Sequence, residues 1–172
     1  MDKNLKLILQ SAEVQRMLTA AKSFINLIER EDIQLDQLIF ESRVCLTELY
    51  AAGLDYPPIP LVHSTNTGGK LKVTREELTK SNQNLIKNVK DAGLYWEVFD
   101  PIYEKNESPT QGWLVDDFGD VFADLKTELY KIEVLSTDAA IEDGLWSLGF
   151  GFKSHWGHHC INALRALHYV AR

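Results

Sequence analysis

Two segments in the C-terminal half of the chain carry acidic and imidazole side chains at helical spacing. The first holds four aspartates, and at about 100° of rotation per residue Asp117, Asp120 and Asp124 fall on one edge of a helix, with Asp116 beside them. Like charges this close repel one another. The spacing therefore predicts a positive partner nearby, which could be a cation, an arginine or a metal ion.

The second segment reads His155-Trp-Gly-His-His159. His155 and His159 are four residues apart, so both rings project from one helix edge, with Asn162 alongside, whereas His158 and Arg165 point to the solvent side. Two imidazoles at this spacing can share one metal ion. The segment therefore predicts a second polar edge that could complement the first.

Three interpretations of these two edges remain open. If their helices face each other, one divalent metal ion could be held by five ligands, namely Asp117, Asp120, Asp124, His155 and His159. Alternatively, Asp117 and Asp124 form structural bridges to Arg165 or to the histidines. A histidine-aspartate contact could also handle protons without any metal. The HExxH zinc motif, the Glu-x-x-His pairs of di-iron proteins and the GxSxG elbow are missing.

The elements that position these residues are predicted to be helices. Apolar residues at intervals of three and four favour helices over 14–28, 33–52 and 112–135, another from about residue 138, and one over 155–170. The last two could be separate helices or one kinked helix. Thr74-Arg-Glu-Glu77 has the spacing of a capping box, which predicts a further helix ending at Gly93.

The fold class predicted from this pattern is all-α: one domain over residues 1–172, an antiparallel helical bundle of five to six helices. Residues 54–73 hold three prolines and a Gly-Gly pair and are predicted to form one long loop, either a binding element or a tolerated insertion. Residues 95–101 are predicted to be extended or to form a single turn, with their aromatic rings docked on the bundle.

Composition narrows the classes of partner. The 172 residues carry a formal net charge of -7 without any basic run, which disfavours nucleic acid and anionic membrane surfaces. No stretch approaches the ~20 apolar residues of a membrane span, and no signal peptide is evident. Cys45 and Cys160 lie in apolar-periodic segments and are predicted to be reduced core thiols. We therefore expect a cytoplasmic protein.

Three motifs in this order carry a family resemblance. Tyr95 to Pro101 reads Tyr-x-x-x-Phe-Asp-Pro, Asp116 to Lys126 reads Asp-Asp-x-x-Asp-x-x-x-Asp-Leu-Lys, and His155 to His168 contains His-Trp-Gly-x-His and Ala-Leu-Arg-Ala-Leu-His. This order resembles the bacterial domain-of-unknown-function 5063 family. The resemblance implies an all-helical, cytoplasmic bacterial protein and implies no known activity.

Two positions depart from the pattern of that family, which usually has Arg where this chain has His158 and Asp where it has Asn162. The missing carboxylate argues against residue 162 as an obligatory metal ligand. The three aspartates and two histidines of the candidate site keep the family's pattern.

Two functions are carried forward. The first is a cytoplasmic helical binding or regulatory domain without catalytic activity, which binds an unknown protein or small ligand through residues 54–73 and the adjacent helix ends. The alternative is a metal-dependent, hydrolase-like enzyme that uses the Asp/His site between two helices.

Overall fold

A computed structural model describes residues 1–63, 93–98 and 108–170, together with positions 73, 74, 76, 77, 83, 87, 89, 101, 102 and 106. The described residues are mostly helical, as predicted. Their six α-helices are α1 (Lys3–Leu9), α2 (Ala12–Ile28), α3 (Leu35–Leu54), α4 (Leu114–Tyr130), α5 (Asp138–Ser154) and α6 (Trp156–Val170). A π-helical turn, Lys131–Leu135, follows α4. Most of the helix predicted after Thr74, and residues 64–72 of the predicted loop, lie outside the described residues.

Helices α2 and α3 pack against each other in opposite directions. Arg16, near the start of α2, pairs with Asp55 just after the end of α3, whereas Arg30, just after the end of α2, pairs with Glu41 near the start of α3. The predicted antiparallel pair is therefore present. The helix predicted over 33–52 extends to Leu54 and includes Gly53, where a Cβ atom would come within 2.5 Å of the Phe152 ring.

The described residues also contain a small sheet, which the all-α prediction lacked. Strands β1 (Leu94–Glu97) and β2 (Thr110–Trp113) pair in antiparallel register, with Tyr95 opposite Gly112. The helix predicted to begin at Gly112 begins at Leu114. The first two residues of the predicted helix belong to β2 instead. Their pairing partners in β1 lie about 17 positions upstream, and local periodicity does not reveal pairing at that distance.

Helix α4 is central to the core that positions the candidate site. Phe118, Phe122 and Leu125 are at most 1% exposed, and Phe118 packs edge to face on Phe24 of α2. On the other side α4 packs against α6, whose Trp156 is equally buried. This packing brings the acidic edge of α4 to the histidine edge of α6. Within the described part of the chain, no helix combines the length and apolar character needed to cross a membrane.

The last two predicted helical stretches are separate helices. The helical conformation is interrupted at His155, whose φ of -150° and ψ of -86° are not helical. At Gly157 a Cβ atom would lie 2.1 Å from the carbonyl oxygen of Phe152, so only glycine allows this close approach of the two helices. The indole of Trp156 donates a hydrogen bond to the carbonyl of Leu148 across the break. His155 therefore lies at the break, just before α6, and not on one helix edge with His159 as the spacing predicted, although the two ring centres are 5.0 Å apart.

Candidate metal centre

The acidic edge of α4 faces His159 on α6 and His155 at the break just before α6. Nδ1 of His159 lies 2.9 Å from Oδ1 of Asp117. Two helical turns further along α4, Oδ2 of Asp124 lies 2.8 Å from Nδ1 of His155. Each histidine therefore has one ring nitrogen occupied by a carboxylate of the opposite helix.

The third aspartate faces the other side of the same imidazole. Oδ2 of Asp120 lies 3.3 Å from Nε2 of His159. One donor atom from each of Asp120, His155 and His159 lies within 4.8 Å of the others. These three side chains form the candidate centre, while Asp117 and Asp124 lie behind the imidazoles.

The positions of the carboxylates select the tautomer of each histidine. A carboxylate oxygen accepts the proton of the ring nitrogen beside it, so Asp117 and Asp124 each favour a proton on Nδ1. The lone pair of a neutral imidazole then lies on Nε2. Histidines that bind metals are commonly oriented by a carboxylate in this way.

The distances match part of what a metal ion requires. Ligand atoms about 2.0–2.1 Å from a tetrahedral ion lie about 3.3 Å apart, and His159 and Asp120 already have this separation. All separations in the trio are within 4.8 Å, so closure around an ion requires a shift of at most about 1.5 Å. The side chain of His155 is 49% exposed and has room to make it.

Burial differs sharply within the cluster. Asp117 is buried, with 5% of its side chain exposed, whereas the side chain of Asp120 is 41% exposed. The orienting carboxylate is thus enclosed in protein, and the proposed ligands reach solvent. An ion bound by the exposed trio would keep coordination positions accessible to water.

The carboxylates create a negative potential that favours cations. The hydrogen bond to Asp117 raises the pKa of His159, assisted by the charges of Asp120 and Asp116, although burial opposes the shift. Burial also raises the pKa of Asp120, assisted by Asp116 and Asp124 and opposed by the histidines. Both groups therefore hold protons more tightly than usual, which is the expected response of titrating groups in an anionic pocket.

The hairpin adds a second layer of side chains that sequence reasoning missed. The hydroxyl of Tyr95, on β1, donates to Oδ2 of Asp117, and burial followed by this bond raises the pKa of the phenol. Two positions along β1, Glu97 accepts a 2.6 Å hydrogen bond from the amide of Asn162 on α6. No local spacing signalled these contacts, because Tyr95 and Asp117 are 22 positions apart in the chain and Glu97 and Asn162 are 65 positions apart.

Arg165 lies apart from the trio. Its Nη2 atom donates to the carbonyl of Trp96 at 2.9 Å, and its guanidinium carbon lies 6.0 Å from the centre of the Tyr95 ring. Asp117 and Asp124 were predicted to bridge either to Arg165 or to the histidines, and the structure pairs them with the histidines. His158 is exposed, on the solvent side as predicted.

The described part of the loop predicted at residues 54–73 is anchored on α5, away from these contacts. The backbone N–H groups of Val62 and His63 both donate to Oε1 of the buried Glu142 at 2.7 Å. The hydroxyl of Tyr56 donates to the carbonyl of Leu145. The predicted role of this loop in binding stays a prediction, since residues 64–72 lie outside the described ranges.

Comparison with known proteins supports the fold over nearly the whole chain. The family described as Domain of unknown function (DUF5063) matches residues 9–172. The crystal structure of protein BF1032 from Bacteroides fragilis is similar, with a TM-score of 0.80, 20% identity and coverage of 96% of each chain. No curated protein matches. At this identity the structural similarity shows the fold alone.

Proposed function

Because the chain belongs to the DUF5063 family, whose description assigns no activity, we propose its function from the site itself. The protein binds one divalent transition-metal ion through Asp120, His155 and His159. It uses the open side of that ion for hydrolytic chemistry on a small substrate.

One observation carries this proposal: both imidazoles of the trio have Nδ1 bound by a carboxylate. Asp117 binds His159, and Asp124 binds His155. A single such contact is common as a structural bridge. Two of them, seven residues apart on α4, beside a third carboxylate with an oxygen within 4.8 Å of a nitrogen of each ring, support preorganisation of the two imidazoles for one ion.

The donor set suggests which ions fit. Two imidazoles and one carboxylate suit Zn²⁺, Fe²⁺ or Mn²⁺, and three protein ligands leave positions for water. A bound ion of this kind would lower the pKa of its water and supply a nucleophile near neutral pH. The exposure of Asp120 and His155 supports access for a substrate from solvent.

Metal stoichiometry tests the proposal directly. Protein purified without a histidine tag and stripped with EDTA is titrated with Zn²⁺, Mn²⁺ and, under anaerobic conditions, Fe²⁺, with calorimetry and elemental analysis as readouts. We expect one equivalent of at least one ion to bind. At about 100 times the dissociation constant it should stabilise the fold by about 2.7 kcal/mol.

Matched histidine variants locate the site. His155→Gln and His159→Gln should each lower the affinity by more than the roughly 10–100-fold typical of a lost orienting partner. His158→Gln, on the same helix but exposed and outside the trio, should bind as the parent does. Absence of stoichiometric binding for all three ions, or equal losses in all three variants, would refute the metal centre.

The two thiols support a reducing compartment for this function. Cys45 and Cys160 are both free, and Cys160 is buried in the core beside the site. Unpaired buried thiols are the usual state of cysteine in the cytoplasm. These thiols support our proposal that the protein is cytoplasmic.

A further inference from the structure

A pocket lies between strand β1 and the C-terminal half of α6, next to the candidate metal centre. Its volume is about 400 Å³, within the range of roughly 300–1,000 Å³ found for small-molecule sites. Residues 94–96 line one side, and Arg165, Tyr169 and Val170 line the other. The pocket shares Tyr95 with the hydrogen-bond network that reaches Asp117.

The walls of this pocket are largely aromatic and open to solvent. Trp96 is 71% exposed and Tyr169 is 61% exposed, although both have large rings that ordinarily pack away from water. Tyr95 contributes a third ring. Three aromatic side chains around one opening suit a flat, apolar ligand body, which gains area burial and ring contacts.

Arg165 is the one charged residue among those lining the pocket. The carbonyl of Trp96 and the ring of Tyr95 position its guanidinium. No carboxylate within the described ranges forms an ion pair with it, and a guanidinium has five N–H donors, of which one is used for Trp96. The remaining donors suit a carboxylate or phosphate in bidentate geometry.

We propose that this pocket binds a small organic anion: a carboxylate or phosphate group carried on a flat, apolar body. The inference rests on the proposed function in one respect, since it assigns this anion as the substrate class of the metal centre. Arg165 and His159 are six residues apart on α6, or about 9 Å along its axis. The two side chains leave the helix about 120° apart, so a substrate anchored at Arg165 would have to extend around α6 for its reactive bond to reach the trio.

Binding to the metal-free protein tests the pocket independently of the metal. In EDTA, phenyl phosphate, benzoate, uncharged benzyl alcohol and inorganic phosphate are titrated by calorimetry, and the indole resonance of Trp96, assigned with Trp96→Phe, is followed by NMR. We expect phenyl phosphate or benzoate to bind at least about tenfold more tightly than benzyl alcohol, because a charge-assisted bidentate pair is strong. Inorganic phosphate, which lacks the apolar body, should bind more weakly than phenyl phosphate.

Charge variants identify the anchor. Arg165→Gln should weaken binding of the organic anion at least about tenfold, whereas Arg165→Lys, which keeps the charge and a donor for Trp96, should retain part of it. Arg43→Gln removes the same charge from α3, outside the pocket, and should have no effect. Tyr169→Ala should weaken binding through the aromatic wall without removing charge.

The outcomes separate this pocket from the metal centre. Equal binding of phenyl phosphate and benzyl alcohol, equal binding of phenyl phosphate and inorganic phosphate, or equal loss in the Arg43 and Arg165 variants would overturn the pocket. His155→Gln should abolish metal binding and leave anion binding intact. Arg165-dependent anion binding without any metal uptake would support the pocket and refute the proposed function. Metal uptake without Arg165-dependent anion binding would support the proposed function and refute the pocket.

Discussion

Nδ1 of His159 lies 2.9 Å from Oδ1 of Asp117, although 42 positions separate the two residues in the chain. The same carboxylate accepts the hydroxyl of Tyr95 through its other oxygen. Asp117 thus joins α6, α4 and the hairpin in one buried contact. The carboxylate that orients His159 is buried, whereas Asp120 is 41% exposed, which is why we assign Asp117 to positioning and Asp120 to metal binding.

Replacing an orienting carboxylate should weaken metal binding without unfolding the protein. Asp117→Asn keeps the shape of the side chain but removes the negative charge that holds the Nδ1 proton of His159. We expect metal affinity to fall roughly 10–100-fold, measured by calorimetry, and Asp124→Asn should act similarly through His155. Asp116→Asn removes an exposed charge from the same helix turn without a hydrogen bond to either histidine and should change affinity much less. Equal effects of the substitutions at 116 and 117 would contradict the assigned roles.

The position opposite Tyr95 should accept nothing larger than glycine. A Cβ atom at Gly112 would lie 2.6 Å from the Tyr95 ring, so Gly112→Ala should displace the ring and break its contact with Asp117. We expect a loss of about 1–3 kcal/mol in unfolding free energy, measured by urea denaturation. Tyr95→Phe removes only the hydroxyl and should cost less, about 1 kcal/mol. A Gly112→Ala protein as stable as the parent would show that the hairpin yields at this position.

The junction of α5 and α6 should be equally intolerant of a side chain. Gly157→Ala places a Cβ atom 2.1 Å from the carbonyl oxygen of Phe152, a backbone atom that cannot rotate away. We expect destabilisation of about 3 kcal/mol, together with weaker metal binding, because the break at His155 moves. Gly149→Ala on α5 meets the Tyr56 ring at 3.0 Å and should cost less, since a side chain can shift. Thermal unfolding of both variants would decide, and comparable losses would argue against the junction as the constraint.

The buried ion cluster after α4 should make stability depend on pH. Glu128 and Asp143 both pair with the buried Lys131, at 2.7 Å and 2.9 Å from its ammonium nitrogen. Burial raises the pKa of Glu128 from 4.5 to about 7, although Lys131 opposes the shift. Between these values the folded protein holds more protons than the unfolded chain, so the Glu128 contribution to stability falls as pH rises.

Comparison with Glu128→Gln isolates that contribution. The stability of the parent relative to this variant should decline across pH 4.5–7 by an amount on the order of 2 kcal/mol, and level off above that range. Glu48→Gln, which alters an exposed carboxylate, should leave the pH profile of the parent unchanged. Urea denaturation across this pH range provides the measurement. A difference between parent and Glu128→Gln that stays constant with pH would show that the folded protein ionises Glu128 normally.

Periodicity alone determined most of the helices and the acidic edge, because side chains three and four residues apart share a helix face whatever the rest of the chain does. It therefore placed Asp117, Asp120 and Asp124 together, whereas His155 lies near His159 because of the break before α6 and not through helical spacing. Which carboxylate meets which nitrogen was decided only in the tertiary structure. The rotation of α4 against α6 is set by packing of buried side chains such as Phe118 and Trp156.

The hairpin depended on the tertiary structure even more. Tyr95 pairs with Gly112 and bonds to Asp117, and neither contact has a local signature, since strand pairing is stabilised by partners distant in sequence. The surroundings of Arg165 were equally unpredictable from local sequence. Helical spacing placed it on the solvent side of α6, but its pocket forms only because residues 94–96 of β1 lie beside it. Local chemistry thus specified the donors, and the nonlocal packing of β1, α4 and α6 specified their geometry.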